Sequence, residues 1–213
     1  MKLSALLIVV IPCFAAIAHA DTLAVSRFPA EGLSGWERKS FKGDTEYSLV
    51  KENQATVLQA HSNNAASGLF KKVQLNPLHY RYLRWRWKIT EPLRGGAEKT
   101  KGGDDYSARV YVVFPGIFFW QTKAINYVWA SRLPREDSFP NPYTRNAMMV
   151  VVETGAGDAG RWVTEQRDIL ADYRRLFGGE PRKIGAIAIM TDTDNSGGEA
   201  TAWYGDITIS SEP

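Results

Sequence analysis

Carboxylates crowd two places in this sequence. The first is TDTDNSGGEATAWYGDI (191–207), where Asp192, Asp194 and Ser196 alternate before Gly197. Oxygens at the first, third and fifth positions of a loop, with glycine at the sixth, converge on a hard cation such as calcium. The twelfth position is Trp203, where an EF-hand requires a bidentate Glu, so the loop is not an EF-hand. A composite calcium site needs further oxygens, and Asp104, Asp105 and Asp206 are available for it. The same residues also suit a hairpin, in which Asn-Ser-Gly-Gly supplies positive φ and the Asp side chains cap the N–H groups of the turn. On sequence alone both readings stand.

The second place is KGGDDYSAR (101–109). Adjacent carboxylates repel unless a cation lies near them, and Lys101 and Arg109 are the obvious partners of Asp104 and Asp105. The stretch is either a surface loop with an internal ion pair or the wall of a pocket holding Asp105 and Arg109. Arg84 and Arg86 from YLRWRWKI (82–89), with Arg109 and Tyr111, and Tyr127 or Trp129 beside them, could line a groove on one sheet face. Arginine would bind acidic sugars bidentately and the aromatic rings would stack on sugar rings. The rival reading makes Arg84, Arg86 and Lys88 an ordinary solvated face.

These residues sit in a chain whose apolar spacing is mostly of period two. Leu83, Trp85, Trp87 and Ile89 point one way from 82–89, and Ala108, Val110, Val112 and Phe114 one way from 108–114. Further strands are expected at 47–50, 55–60, 68–75, 124–130, 147–153, 184–191 and 200–209, separated by Gly, Pro and Asn clusters that include Gly95-Gly96. One short helix is expected at about 164–177, where Ile169, Leu170, Tyr173 and Phe177 form a stripe ending at Gly178-Gly179. Many short strands with one helix indicate an all-β, mainly antiparallel, two-sheet sandwich of jelly-roll type. Its expected core includes Trp85, Trp87, Val110, Val112, Val150, Ile187, Ile189 and Ile207. No repeat or linker divides the chain, so residues 21–213 are read as one domain.

The N-terminus, MKLSALLIVVIPCFAAIAHA, reads as a secretory signal peptide over residues 1–20: a basic start, a short apolar run, and Ala18-His19-Ala20 before Asp21. A lipoprotein signal ending at Cys13 is the rival, but Pro12 occupies the place of a small residue. Such a leader implies export, to the periplasm or outside the cell. Cys13 is the one cysteine and His19 one of three histidines, so a trimmed chain keeps only His61 and His79. Thiolate chemistry and the usual His/Cys zinc sites are then disfavoured, and so is a Ser-His-Asp triad unless His61 or His79 serves it. The formal net charge of +3 gives no reason to expect nucleic acid, and no second apolar run approaches transmembrane length.

TKGGDDYSARVYVVFPG, TKAINYVWAS, NPYTRNAMMVVVE, DYRRLFG and IAIMTDTDNSGGEATAWYGDI together resemble the bacterial family of unknown function numbered 3047, over about residues 28–209. The resemblance implies an exported β-rich protein and carries no established activity, cofactor or catalytic residue.

Three functions remain in play. The leading expectation is a glycan-binding sandwich that takes a polysaccharide or oligosaccharide. The second is a polysaccharide hydrolase using two of Asp105, Glu153 and Asp192, or a lyase using Arg109 with Tyr111 or His79. The third is an envelope domain that contacts other proteins. Cleavage between Ala20 and Asp21 is expected from the small residues at 18 and 20. N-terminal sequencing of exported protein should begin at Asp21, and lipid on Cys13 would refute it.

Overall fold

Residues 21–94 and 97–213 are described by a computed structural model. The segment read as a signal peptide, with Cys13 and His19, and the Gly95-Gly96 pair lie outside them. The strands are β1 (Thr22–Ala24), β2 (Trp36–Lys42), β3 (Glu46–Glu52), β4 (Ala55–Asn63), β5 (Ala66–Leu75), β6 (Tyr82–Ile89), β7 (Arg109–Phe114), β8 (Lys123–Ala130), β9 (Ser138–Asn141), β10 (Thr144–Thr154), β11 (Val163–Asp168), β12 (Ile184–Asp192), β13 (Glu199–Tyr204) and β14 (Thr208–Ser210). Two helices, α1 (Phe28–Glu31) and α2 (Ile169–Phe177), and two 3-10 turns, Lys101–Gly103 and Phe119–Gln121, complete the described elements.

The strands form two seven-stranded sheets. One runs β2-β5-β12-β7-β8-β10-β9. The other runs β1-β14-β6-β13-β4-β3, with β11 also on β6. A strand has two edges: β11 takes one edge of β6 along Tyr82–Trp87, while β14 and β13 share the other. The stretch expected as one strand over 200–209 is therefore broken at Gly205-Asp206, which lets β13 and β14 pair in turn with β6. Most pairs are antiparallel, but β8 and β10 run parallel, so the chain must cross back through residues 131–143 between them. Among the described residues no helix is long and apolar enough to cross a membrane.

The inward faces follow the period-two reading. Trp85, Trp87, Val110, Val112, Val150, Ile187, Ile189 and Ile207 are all buried, and Leu83, Ile89 and Ala108 join them. Trp85 and Trp87 meet edge to face at 5.4 Å, and Tyr127 and Trp129 cross from the other sheet to pack on them at 5.3 and 5.9 Å. This aromatic block is the waist of the sandwich. The expected helix is corrected at its start. Residues 163–168 are strand β11, and α2 begins only at Ile169, where the Asp168 side chain accepts the Ala171 N–H at 3.1 Å. A carboxylate N-cap of this kind starts a helix where an extended strand must end.

Trp87 is fully buried at the centre of this block. Trp87→Ala should lower unfolding free energy by about 3–5 kcal/mol, the usual penalty for emptying a large core position. Urea denaturation measures it, and an unchanged midpoint would place the core on the opposite sheet face.

Candidate functional site

The outer face of the β2–β9 sheet carries a trough of about 370 Å³. Strand register places its floor. Asp192 lies opposite Ala66, Met190 opposite Arg109, and Tyr111 opposite Asn126, so these outward side chains share one surface across β5, β12, β7 and β8. Ala147 on β10 extends it, and Phe41, Asn141, Tyr143, Asp194 and Asn195 form its rim. Small residues such as Ala66 and Ala147 keep the floor low. Part of the same face is closed by a second small core of Tyr106, Val128, Ala130, Phe139, Met149 and Val151. The trough is the part of the face that this cover leaves open.

Arg109 is the fixed point of the floor. Its Nε donates to Asp192 Oδ1 at 2.7 Å, and one Nη donates to Asp192 Oδ2 and to the Asp104 carbonyl. The other Nη reaches Asp104 Oδ1 at 3.5 Å and the Tyr111 hydroxyl at 3.3 Å. All five N–H donors of the guanidinium thus have acceptors. Its plane also lies over the Tyr106 ring at 4.6 Å. Burial works against the charge of Arg109, yet Asp192 holds its pKa well above the ordinary value. Burial likewise raises the Asp104 carboxyl, against the pull of Arg109. Burial also pushes the Tyr111 hydroxyl up to about 12, so it is a poor base at neutral pH.

Asp105 serves the neighbouring loop. Its carboxylate accepts the backbone N–H groups of Asn195 at 3.0 Å and Ser196 at 2.5 Å, the Asn195 Nδ2 at 3.1 Å and the Ser196 hydroxyl at 2.6 Å. The loop is also tied to both sheet edges. Lys42 donates to the Asp194 carbonyl at 2.7 Å, and the Tyr143 hydroxyl donates to Asn195 Oδ1 at 2.9 Å. Asp105, Asp192 and Asp194 bring one carboxylate oxygen each within 4.8 Å of one another. Those of Asp105 and Asp192, however, are already taken by N–H and O–H donors. This is the pattern of carboxylates capping a turn, which a cation would have to displace.

The structure gathers Asp104, Asp105, Arg109, Tyr111, Asp192, Asp194 and Ser196 in one place, although 83 residues separate Arg109 from Asp192. Four other expectations are corrected. Tyr127 and Trp129 belong to the interior waist, because the parity that sends Ile125 inward sends them inward too. Arg84 and Arg86 lie on the opposite sheet, where Arg86 covers the Trp162 ring at 4.7 Å. Asp206 accepts the Phe28 N–H at 2.7 Å, away from the carboxylate cluster. Of the residues considered for hydrolysis or elimination, Glu153 pairs with Arg135, and His79 pairs with Asp21 beside β1. Asn126, Asn141, Asn195, Tyr143 and Phe41 were not anticipated. The one signal for Asn126 is a lone amide inside the apolar strand AINYVWA.

The family model for proteins of unknown function designated DUF3047 matches residues 34–208, and the chain belongs to that family. No functionally curated protein matches it. Among solved structures, a family 30 carbohydrate binding module is similar, with a TM-score of 0.50 and 13% identity over 90% of this chain and 99% of that one. The family 30 module of a cellulosomal cellulase of Clostridium thermocellum gives 0.45 at 12% identity, covering 84% and 92%. A family 11 module from the same organism, in complex with a β-1,3-1,4-mixed-linked tetrasaccharide, gives 0.46 at 11%, covering 89% and 94%. At such identities the likeness is one of fold.

The saturation of the 192–197 loop by N–H and O–H donors sets an expectation for metal removal. Melting temperature should be the same in EDTA and in millimolar calcium, since an ion that binds the folded state must raise it by mass action. A calcium-specific rise that magnesium does not reproduce would restore the cation reading.

Proposed function

We propose that this protein is an exported, periplasmic glycan-binding sandwich that takes a neutral oligosaccharide segment in the trough on its β2–β9 sheet. The observation that carries this reading is the trough's lining. Three side-chain amides line the trough. On its floor the buried Asn126 Oδ1 has no hydrogen-bond partner among the described residues. On the rim Asn141 and Asn195 are held by Asp104 and Asp105, and Phe41 and Tyr143 stand beside them, each 57% exposed. The unpartnered Asn126 carbonyl oxygen suits a sugar hydroxyl, and exposed ring faces stack on the C–H faces of sugars. Lys101 lies against the Tyr143 ring at 5.3 Å, which orients the ring without covering all of it.

The electrostatics select among sugars. Arg109 has no donor left for a uronate, because Asp104, Asp192 and Tyr111 use all five. Asp104, Asp192 and Asp194 line the same trough with Lys42 as the one other cation. Uncharged hydroxyls suit that surface better than carboxylates do. The same geometry supports binding without turnover: the carboxylates are held by donors, and burial raises the Tyr111 hydroxyl to about 12.

The test is retention of purified protein on insoluble neutral and acidic polysaccharides, read together with release of reducing ends. Retention is expected on a neutral polymer, with no product. Tyr143→Ala and Asn126→Ala should each weaken it by about tenfold or more, as loss of a central aromatic or buried polar contact does. Unchanged retention in both variants would remove the trough from consideration, and sustained product release would make the protein an enzyme.

A further inference from the structure

The β7–β8 connection reads PGIFFWQT (115–122). Ile117 is 71% exposed, Phe118 51%, Phe119 85% and Trp120 57%. Single exposed apolar side chains are ordinary, but four in succession at one tip mark a surface built to be covered. The tip is also held in shape. The Phe118 and Trp120 rings stack 4.7 Å apart and nearly parallel, and Phe119 meets Trp120 edge-on at 5.1 Å. Gln121 and Thr122 donate N–H bonds back to the Phe118 and Phe119 carbonyls at 3.0 and 3.1 Å. From β10, the Asn146 side chain donates to the Trp120 carbonyl at 2.6 Å. Gly116 packs so closely on Gln121 that a Cβ there would come within 2.4 Å of it.

The neighbours of the tip are cationic. Arg145 immediately precedes Asn146, and Arg182 and Lys183 immediately precede β12, whose Gly185 packs on Pro115. All three are exposed. Among the described residues none of the three forms an ion pair with a carboxylate. An apolar projection collared by unpaired cations is complementary to one kind of surface: a bilayer with anionic headgroups.

We propose that the 115–122 tip anchors the protein to an anionic lipid surface. Ile117, Phe118 and Phe119 enter the boundary of the acyl region, Trp120 sits at headgroup depth, and Arg145, Arg182 and Lys183 meet lipid phosphates. Two other occupants fit less well. A sugar platform uses open ring faces in one plane, whereas Ile117 has no face and Phe119 stands edge-on to Trp120. A second copy of the chain joined through a two-fold contact would bring the same three cations against themselves. The anchor is independent of the glycan reading, since none of its residues lines the trough.

Vesicle flotation with the purified chain tests it, using phosphatidylcholine alone and an equal mixture of phosphatidylcholine and phosphatidylglycerol. Flotation is expected with the mixture and should weaken as salt is raised. Phe119→Ala and Trp120→Ala should each lower partitioning by about tenfold, from the apolar area they remove, with melting temperature unchanged because both side chains are exposed. Arg145→Glu with Lys183→Glu should abolish the preference for the anionic mixture. Absence of flotation on either vesicle, or flotation equal in all variants, overturns the proposal. So does a concentration-dependent dimer, or retention on polysaccharide, that Phe119→Ala removes in a protein that does not float.

Discussion

A guanidinium buried in a sheet is stable only if every N–H it carries finds an acceptor, and Arg109 meets that demand by drawing three parts of the chain to itself. Asp192 comes from the end of β12, Asp104 from the loop before β7, and Tyr111 from its own strand. Because β12 and β7 are neighbours, the bidentate pair also fixes where the 192–197 loop leaves the sheet. Asp105, adjacent to Asp104, then caps that loop. Removing either partner would leave a buried charge without compensation, which is far costlier than the pair is favourable. The rim of the trough is thus set by an interaction at its floor.

The open part of the β2–β9 sheet owes its shape to what covers the rest. Tyr106, Phe139 and Met149 roof the β8 side, so β8 is buried on both faces beyond Asn126. Where the roof stops, alanines and amides face outward and a recess remains. The β7–β8 tip lies beyond the opposite end of β7 from Arg109. Recess and tip therefore belong to the same pair of strands but face different surroundings.

Much of this was legible in the sequence where one face of a strand is dry and the other wet. YLRWRWKI and ARVYVVF announce their inward residues by alternation alone, and burial follows it except at Arg109, which faces outward and is still buried. WERKSFK (β2) and VTEQRD (β11) gave no such signal, because β2 is largely exposed and β11 is polar and at most half-buried. β11 even continues the polar run into α2, so only the Asp168 cap separates strand from helix. Within the site, Asp104, Asp105 and Arg109 were visible because opposite charges close in sequence ask for each other. Asn126, Asn141 and Tyr143 were not, because cross-strand register brings them together, and register is a property of pairs of strands. Tyr127 and Trp129 misled for a related reason: an aromatic residue in a strand looks the same whether it faces in or out.

The order of strands carries a consequence for how the chain reaches its native state. β12 sits between β5 and β7 in one sheet, and β13 between β4 and β6 in the other. Both central positions are filled by residues from the last fifth of the chain, and β1 is completed only by β14. Until that C-terminal stretch is present, one sheet exists as two fragments, and the other as the pairs β3-β4 and β6-β11 with β1 alone, all with open edges. Non-local closure of this kind is slow and leaves unpaired strands waiting. A chain so wired cannot close either sheet until its last strands have been made.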